Sequence, residues 1–174
     1  MATSNFSILG SARVYVGTYG KYNSGSLAGA WLTLSDYSDY NDFLSACCDL
    51  HSDEDDPEFM IQDSENLPRV FLTGYLSESV NPEFWDMLQT LSELSENEAE
   101  AVLAYWDECD SGASIDSIID RYQGYYDSEE DYAEQLYAEC YDIPDHLYNY
   151  IDWSAVARDI FIDYSFCSGH VFSC

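Results

Sequence analysis

The chain has 174 residues, and 34 Asp and Glu against five Lys and Arg give a formal net charge of -29. Direct nucleic-acid binding needs a cationic footprint on phosphate and is all but excluded, and an anionic membrane face is disfavoured for the same reason. Simple disorder is also excluded: 47% of residues are hydrophobic and 16% aromatic, enough to fold against the self-repulsion.

The first third reads as β. Arg13 to Tyr19 is rich in β-branched and aromatic residues and predicts a strand. A polar stretch, Lys21 to Ser26, predicts a turn. The apolar run Leu27 to Leu34 predicts a second strand. Asp39 to Leu50 predicts a short helix with Phe43, Ala46 and Cys47 on one face. Glu58 to Gln62 and Val70 to Thr73 predict further strands.

The middle turns helical. Asn81 suits an N-cap and Pro82 a first helical position, with Phe84, Leu88 and Leu91 forming one buried stripe. Ser95 and Glu98 stand at capping-box spacing before Ala99, Val102, Leu103 and Trp106. Ser114 predicts a cap for a helix burying Ile115, Ile118, Ile119 and Tyr122. Ser128 with Asp131 predicts another, lined by Tyr132, Ala133, Leu136, Tyr137 and Cys140. Pro144 opens a short helix. Asp152 caps the next, with Trp153, Val156, Ala157, Ile160 and Phe161 inward. Tyr164 to Cys167 and His170 to Phe172 predict short strands. The expected class is α+β.

No apolar run of about 18 residues exists, so no membrane span is expected. No signal peptide is visible, so the expected location is cytoplasmic. The six cysteines are then expected as reduced thiols. They form no C-x-x-C pair, and His51, His146 and His170 stand at no ligand spacing, so no metal is expected.

No catalytic residues are assigned. With 34 acids, carboxylate pairs at glycosidase distances arise by chance. Nucleophile-elbow, P-loop and dinucleotide signatures are absent, so no cofactor is expected. Cys47 and Cys48 beside His51 lack a basic neighbour to activate a thiol. Asp107 to Ile118 has the oxygen density of a calcium loop, but Cys109 and Ile118 occupy two required ligand positions.

The acids are spread along the chain: nine in residues 1–60, twelve in 61–110 and thirteen in 111–174. Asp53, Glu54, Asp55 and Asp56 form a solvated loop ended by Pro57. Elsewhere the acids interleave with apolar residues, the pattern of a folded surface of one sign. Glu93, Glu96, Glu100, Asp107 and Glu108 punctuate the middle. Asp116, Asp120, Asp127, Glu129, Glu130, Asp131, Glu134, Glu139, Asp142 and Asp145 follow. Together these form the candidate partner-binding surface. Duplex DNA carries one charge per ~1.7 Å of axis, so 29 charges match about 50 Å, or about 15 base pairs. Such a surface fits the DNA channel of a nucleic-acid enzyme. A salt-adapted surface and an acidic chaperone or sink for basic proteins are the alternatives.

Specific motifs sharpen the choice. Arg13 to Trp31 resembles the opening of the ArdA antirestriction family, a strand followed by Y-N-x-G-x-L-x-G-x-W, met by Tyr22, Asn23, Gly25, Leu27, Gly29 and Trp31. Glu58 to Asp63 resembles its short acidic strand, with Gln62 where the family pattern has His. Tyr122 to Ala133 resembles its Y-x-G-x-y-x-S-x-x-D-y-A segment. Tyr150-Ile151-Asp152 and Ala157-Arg158-Asp159 match its Y-I-D and A-R-D signatures. Residues 75–110 match in character rather than by motif.

The resemblance implies a protein of conjugative plasmids and transposons. It implies an elongated dimer of three small domains, imitating bent B-form DNA. The target would be the methyltransferase-specificity core of type I restriction-modification enzymes, blocked by occlusion without turnover. The expected divisions are an extension over 1–12, an α+β domain over 13–74, a central helical domain over 75–112 and a C-terminal α+β domain over 113–174. The resemblance places the homodimer contact in the last domain, and within it the contact is expected around Tyr148 to Phe172.

Overall fold

The β-branched run near the start extends as β1 (Arg13–Thr18), close to the strand the sequence predicts. The computed structural model describes residues 10–74 and 81–174. Most of the expected extension over 1–12, and the start of the expected central domain at 75, lie outside the described residues. Ala12 is fully buried, and its carbonyl accepts the Leu34 N–H at 3.0 Å.

One helical turn, α1 (Tyr19–Asn23), stands where the sequence predicts only a bend. Thr18 makes the difference, because its hydroxyl oxygen accepts the Lys21 N–H at 3.2 Å and caps the turn. The chain then bends at Gly25, whose φ of +84° favours glycine. Gly29 answers a different demand: a Cβ there would run into the Val16 carbonyl. The following strand, β2 (Ala30–Thr33), is shorter than the apolar run around it.

The next helix, α2 (Tyr40–Leu50), begins at Asp39, whose carboxylate accepts the Asp42 N–H at 2.9 Å, and it buries Phe43 and Cys47. β3 (Phe59–Glu65) completes an antiparallel sheet of order β2-β1-β3. Val14 and Val16 of the central strand are fully buried. The expected strand over Val70–Thr73 is corrected: these residues lie in α3 (Arg69–Gly74). The Pro68 carbonyl accepts the Phe71 N–H at 3.0 Å and starts the helix. A short apolar run alone does not separate helix from strand.

α4 (Pro82–Ser92) starts at Asn81 as predicted and buries Trp85 and Met87 besides Phe84, Leu88 and Leu91. Phe43, Trp85, Phe84 and Phe71 form a chain of rings with successive centroids 5.5–5.6 Å apart. Each buried ring contributes roughly 1.5–3 kcal/mol. α5 (Glu96–Glu108) opens on the predicted capping box. Glu98 accepts the Ser95 N–H at 2.9 Å, and the Ser95 hydroxyl oxygen accepts the Glu98 N–H at 3.4 Å. Ala101 and Tyr105 are buried along with Ala99, Val102 and Trp106, so the apolar face is wider than one stripe.

The chain divides into two compact units, Met1–Ala99 and Glu100–Cys174. In the second, Ser114 caps α6 (Ile115–Arg121), which buries Ile118. Tyr122, expected on that helix, begins β4 (Tyr122–Tyr125) instead. α7 (Glu129–Cys140) is capped by Ser128 and buries Tyr132 and Ala133. Leu136 and Tyr137 are only half-buried and Cys140 is exposed, so the expected stripe fades towards the C-terminal end. α8 (Asp145–Tyr148) follows Pro144, and α9 (Trp153–Ile160), capped by Asp152, packs against α7.

β5 (Tyr164–Cys167) and β6 (His170–Ser173) form a hairpin. Its two-residue turn has φ of +48° at Ser168 and +91° at Gly169, the mirror-image geometry that suits twisted strands. The sheet order is β4-β6-β5, all antiparallel, with Val171 and Phe172 of the central strand fully buried. The class is α+β, as the sequence predicts. Cys109 and Cys167 form a disulfide across 58 residues of sequence. This corrects the expectation of six reduced thiols. Cys47, Cys48, Cys140 and Cys174 remain free.

Candidate partner-binding surface

Where an acid sits is set first by the helix starts. The caps Asp39, Asn81, Ser114, Ser128 and Asp152 fix the faces that turn inward. Acids in the first turns, such as Asp116, Glu129, Glu130 and Asp131, stand at the positive end of the helix dipole. This placement offsets part of the mutual repulsion.

No Asp or Glu is buried among the described residues. Of the candidate surface, Asp53, Asp55, Asp56, Glu93, Glu96, Glu100, Asp107, Glu108, Asp116, Asp120, Asp127, Glu129, Asp131, Glu139, Asp142 and Asp145 are exposed, and Glu54, Glu130 and Glu134 are half-buried. The structure brings Asp53 and Glu54 together, and gathers Glu129 to Glu139 on one helix.

The acids differ in what already holds them. Lys21 Nζ lies 2.8 Å from Asp53 Oδ1 and 3.3 Å from Glu54 Oε1. The Asp53 hydrogen bond is the main reason the Lys21 pKa is raised, and the same bond lowers that of Asp53. Thr18 also donates to Glu54 Oε1, at 2.7 Å. Buried His51 completes the knot, with Nδ1 2.9 Å from Lys21 Nζ and Nε2 3.2 Å from the Val16 carbonyl. An ammonium only donates, so Nδ1 accepts and Nε2 carries the proton. The ligand-type atoms of His51, Asp53 and Glu54 lie within 4.8 Å of one another, a span a metal could bridge. Here the Lys21 ammonium supplies the positive charge among them.

Arg13 makes the remaining ion pair among the described residues, with Nη2 2.6 Å from Glu65 Oε2 and its guanidinium 4.8 Å above the Trp31 ring. Residues 129–139 lack such a cation. Glu134 accepts the Tyr148 hydroxyl, a bond that raises the Tyr148 pKa. Glu139 accepts from Gln135 at 3.0 Å. Asp131 accepts from its own cap, Ser128, at 2.7 Å. Glu108 accepts both the N–H and the hydroxyl of Ser168, tying α5 to the hairpin turn.

Sequence reasoning missed the knot around Lys21 and the Arg13 pair. Their partners stand 30 to 52 residues apart, and no local pattern marks them. The family described as antirestriction protein (ArdA) matches residues 14–172 of the chain. No curated protein matches it. A match of this extent shows that the chain belongs to the ArdA antirestriction family.

Proposed function

From that membership, we propose that the protein blocks restriction by standing in for B-form DNA. It occupies the DNA channel of a type I restriction-modification enzyme, at the methyltransferase-specificity core. Restriction of incoming mobile-element DNA is prevented, and modification with it. Exposed carboxylates take the place of phosphates, and the Arg and Lys of the channel pair with them. No bond is made or broken, so the protein acts as an inhibitor and not as an enzyme.

One observation carries this reading. No described acid is buried, and only Asp53, Glu54 and Glu65 meet a Lys or Arg of the chain in an ion pair among the described residues. The charge is therefore presented outward by folded units. Affinity is distributed, because an exposed pair contributes only about 0–1 kcal/mol.

The working form in this proposal is a cytoplasmic homodimer of elongated chains. Each chain has three small domains, at 13–74, 75–112 and 113–174. The last carries the dimer contact around residues 148–172, where Tyr150 is 86% and Ile162 78% exposed.

The test is displacement. Labelled duplex bound to a type I methyltransferase core should be released by near-stoichiometric amounts of the protein. An acidic chaperone would instead capture free histones and leave the DNA-bound enzyme untouched.

A further inference from the structure

One face of the first sheet repeats a pattern in successive rows. In the first row, Arg13 of β1 is paired in register with Thr33 and Glu65. There a guanidinium rests on the Trp31 ring and binds a carboxylate. Two residues along, Tyr15 is in register with Trp31 and Asp63. This second row holds the same Trp31 ring, with Tyr15 beside it and a carboxylate that no cation binds among the described residues. Asp63 is exposed, accepts the N–H of Ser64 at 2.8 Å and has no ion pair among the described residues.

The second row opens into a cleft of about 380 Å³, lined by Tyr15, Leu27, Trp31, Gln62 and Asp63. Tyr15 and Trp31 meet edge to face at 5.5 Å, and the Tyr15 hydroxyl donates to the Leu27 carbonyl at 3.0 Å, so the walls are fixed. Gln62 is the residue the β1–β3 bulge leaves without a register partner. Its amide lies against Gly17, where any Cβ would displace it. Gln62 Nε2 is buried and has no hydrogen-bond partner among the described residues.

We propose that this cleft receives an arginine side chain of the basic enzyme partner. The guanidinium would stack on the aromatic wall and donate to both carboxylate oxygens of Asp63. Arginine fits better than lysine, because a planar fork serves a ring face and two acceptors together. The adjacent Arg13 site holds the same group by the same chemistry. The cleft would give a surface otherwise read by charge alone one fixed point of register. The identity of the partner rests on the proposed function, but the cleft's chemistry does not.

The test therefore omits the enzyme. N-acetyl-arginine amide is titrated into the full chain at moderate salt, with the Trp31 indole and Tyr15 ring signals followed by NMR. Saturable shifts are expected, with affinity about fivefold weaker in Asp63→Asn and unchanged in Glu83→Gln. A non-saturating response, an equal response to N-acetyl-lysine amide, or equal affinity in Asp63→Asn overturns the proposal. Failure of the displacement assay with the titration intact would sink the inhibitor reading and leave the cleft standing.

Discussion

The two compact units carry the same charge and hold it differently. Each has 17 of the 34 acids, with three basic residues in the first unit and two in the second. In the first, Lys21 and Arg13 bind Asp53, Glu54 and Glu65. In the second, no described acid meets a Lys or Arg in an ion pair. Arg121 donates to the Ser117 carbonyl and lies 5.0 Å over the Tyr105 ring instead. The first unit therefore uses some of its charge to tie loop 51–58 to the β1 end. The second is joined by packing, a disulfide and a tight hairpin, which leaves its carboxylates for a partner.

Core truncation should have the largest effect and ignore the difference. Phe84→Ala in the first unit and Phe172→Ala in the second should each cost about 3–5 kcal/mol in urea unfolding, since both rings are fully buried. A cost under about 1 kcal/mol at either site would mean that the ring is not core.

Charge removal should then separate the units. Neutralising Glu129, Glu130, Glu139, Asp142 and Asp145 together should weaken inhibition by at least about tenfold, while each single change stays within about fivefold. The melting temperature should hold or rise, because like charges are removed. Asp53→Asn in the first unit should lower the melting temperature and barely alter inhibition, because Lys21 loses its closest carboxylate. Loss of inhibition from one substitution on α7, with the fold intact, would contradict a distributed surface.

Acid should perturb the second unit through His170. Burial pushes its pKa below the usual value, with Glu100 pulling the other way, and Nδ1 lies 3.0 Å from the Tyr122 hydroxyl. The unfolded chain binds that proton more readily, so the stability is present above pH about 6.5 and lost as pH falls through the folded value. Melting curves from neutral to mildly acidic pH should show the decline, and His170→Gln should flatten it. The smallest effect is chemical. Burial pushes the Cys47 thiol up to about 12, so an alkylating reagent at neutral pH should modify exposed Cys48 and spare Cys47, as read by mass spectrometry.

The sequence was most legible where structure is local. Ser95 and Glu98, Ser114, Ser128 and Asp152 all cap as their spacing predicts, because the cap bond spans three residues. The Y-N-x-G-x-L-x-G-x-W motif also acquires physical reasons. Gly25 supplies the positive φ, Gly29 the close approach to Val16, and Trp31 the ring under Arg13. Long-range features escaped. β4 has only four residues and exists because β6 pairs with it. The Cys109–Cys167 link and the Lys21 knot depend on how distant segments meet. The outward placement of acids was readable from their interleaving, but which of them are already held by cations was not.

Salt dependence tests the central claim most directly. The affinity of the protein for a type I methyltransferase core should be measured across a salt series, beside the same core with duplex DNA. If the carboxylates replace phosphates, log affinity falls linearly with log salt for both complexes, and the slope is shallower for the variant neutralised at Glu129, Glu130, Glu139, Asp142 and Asp145. A complex whose affinity does not change with salt would contradict the claim and place the binding energy in apolar contact.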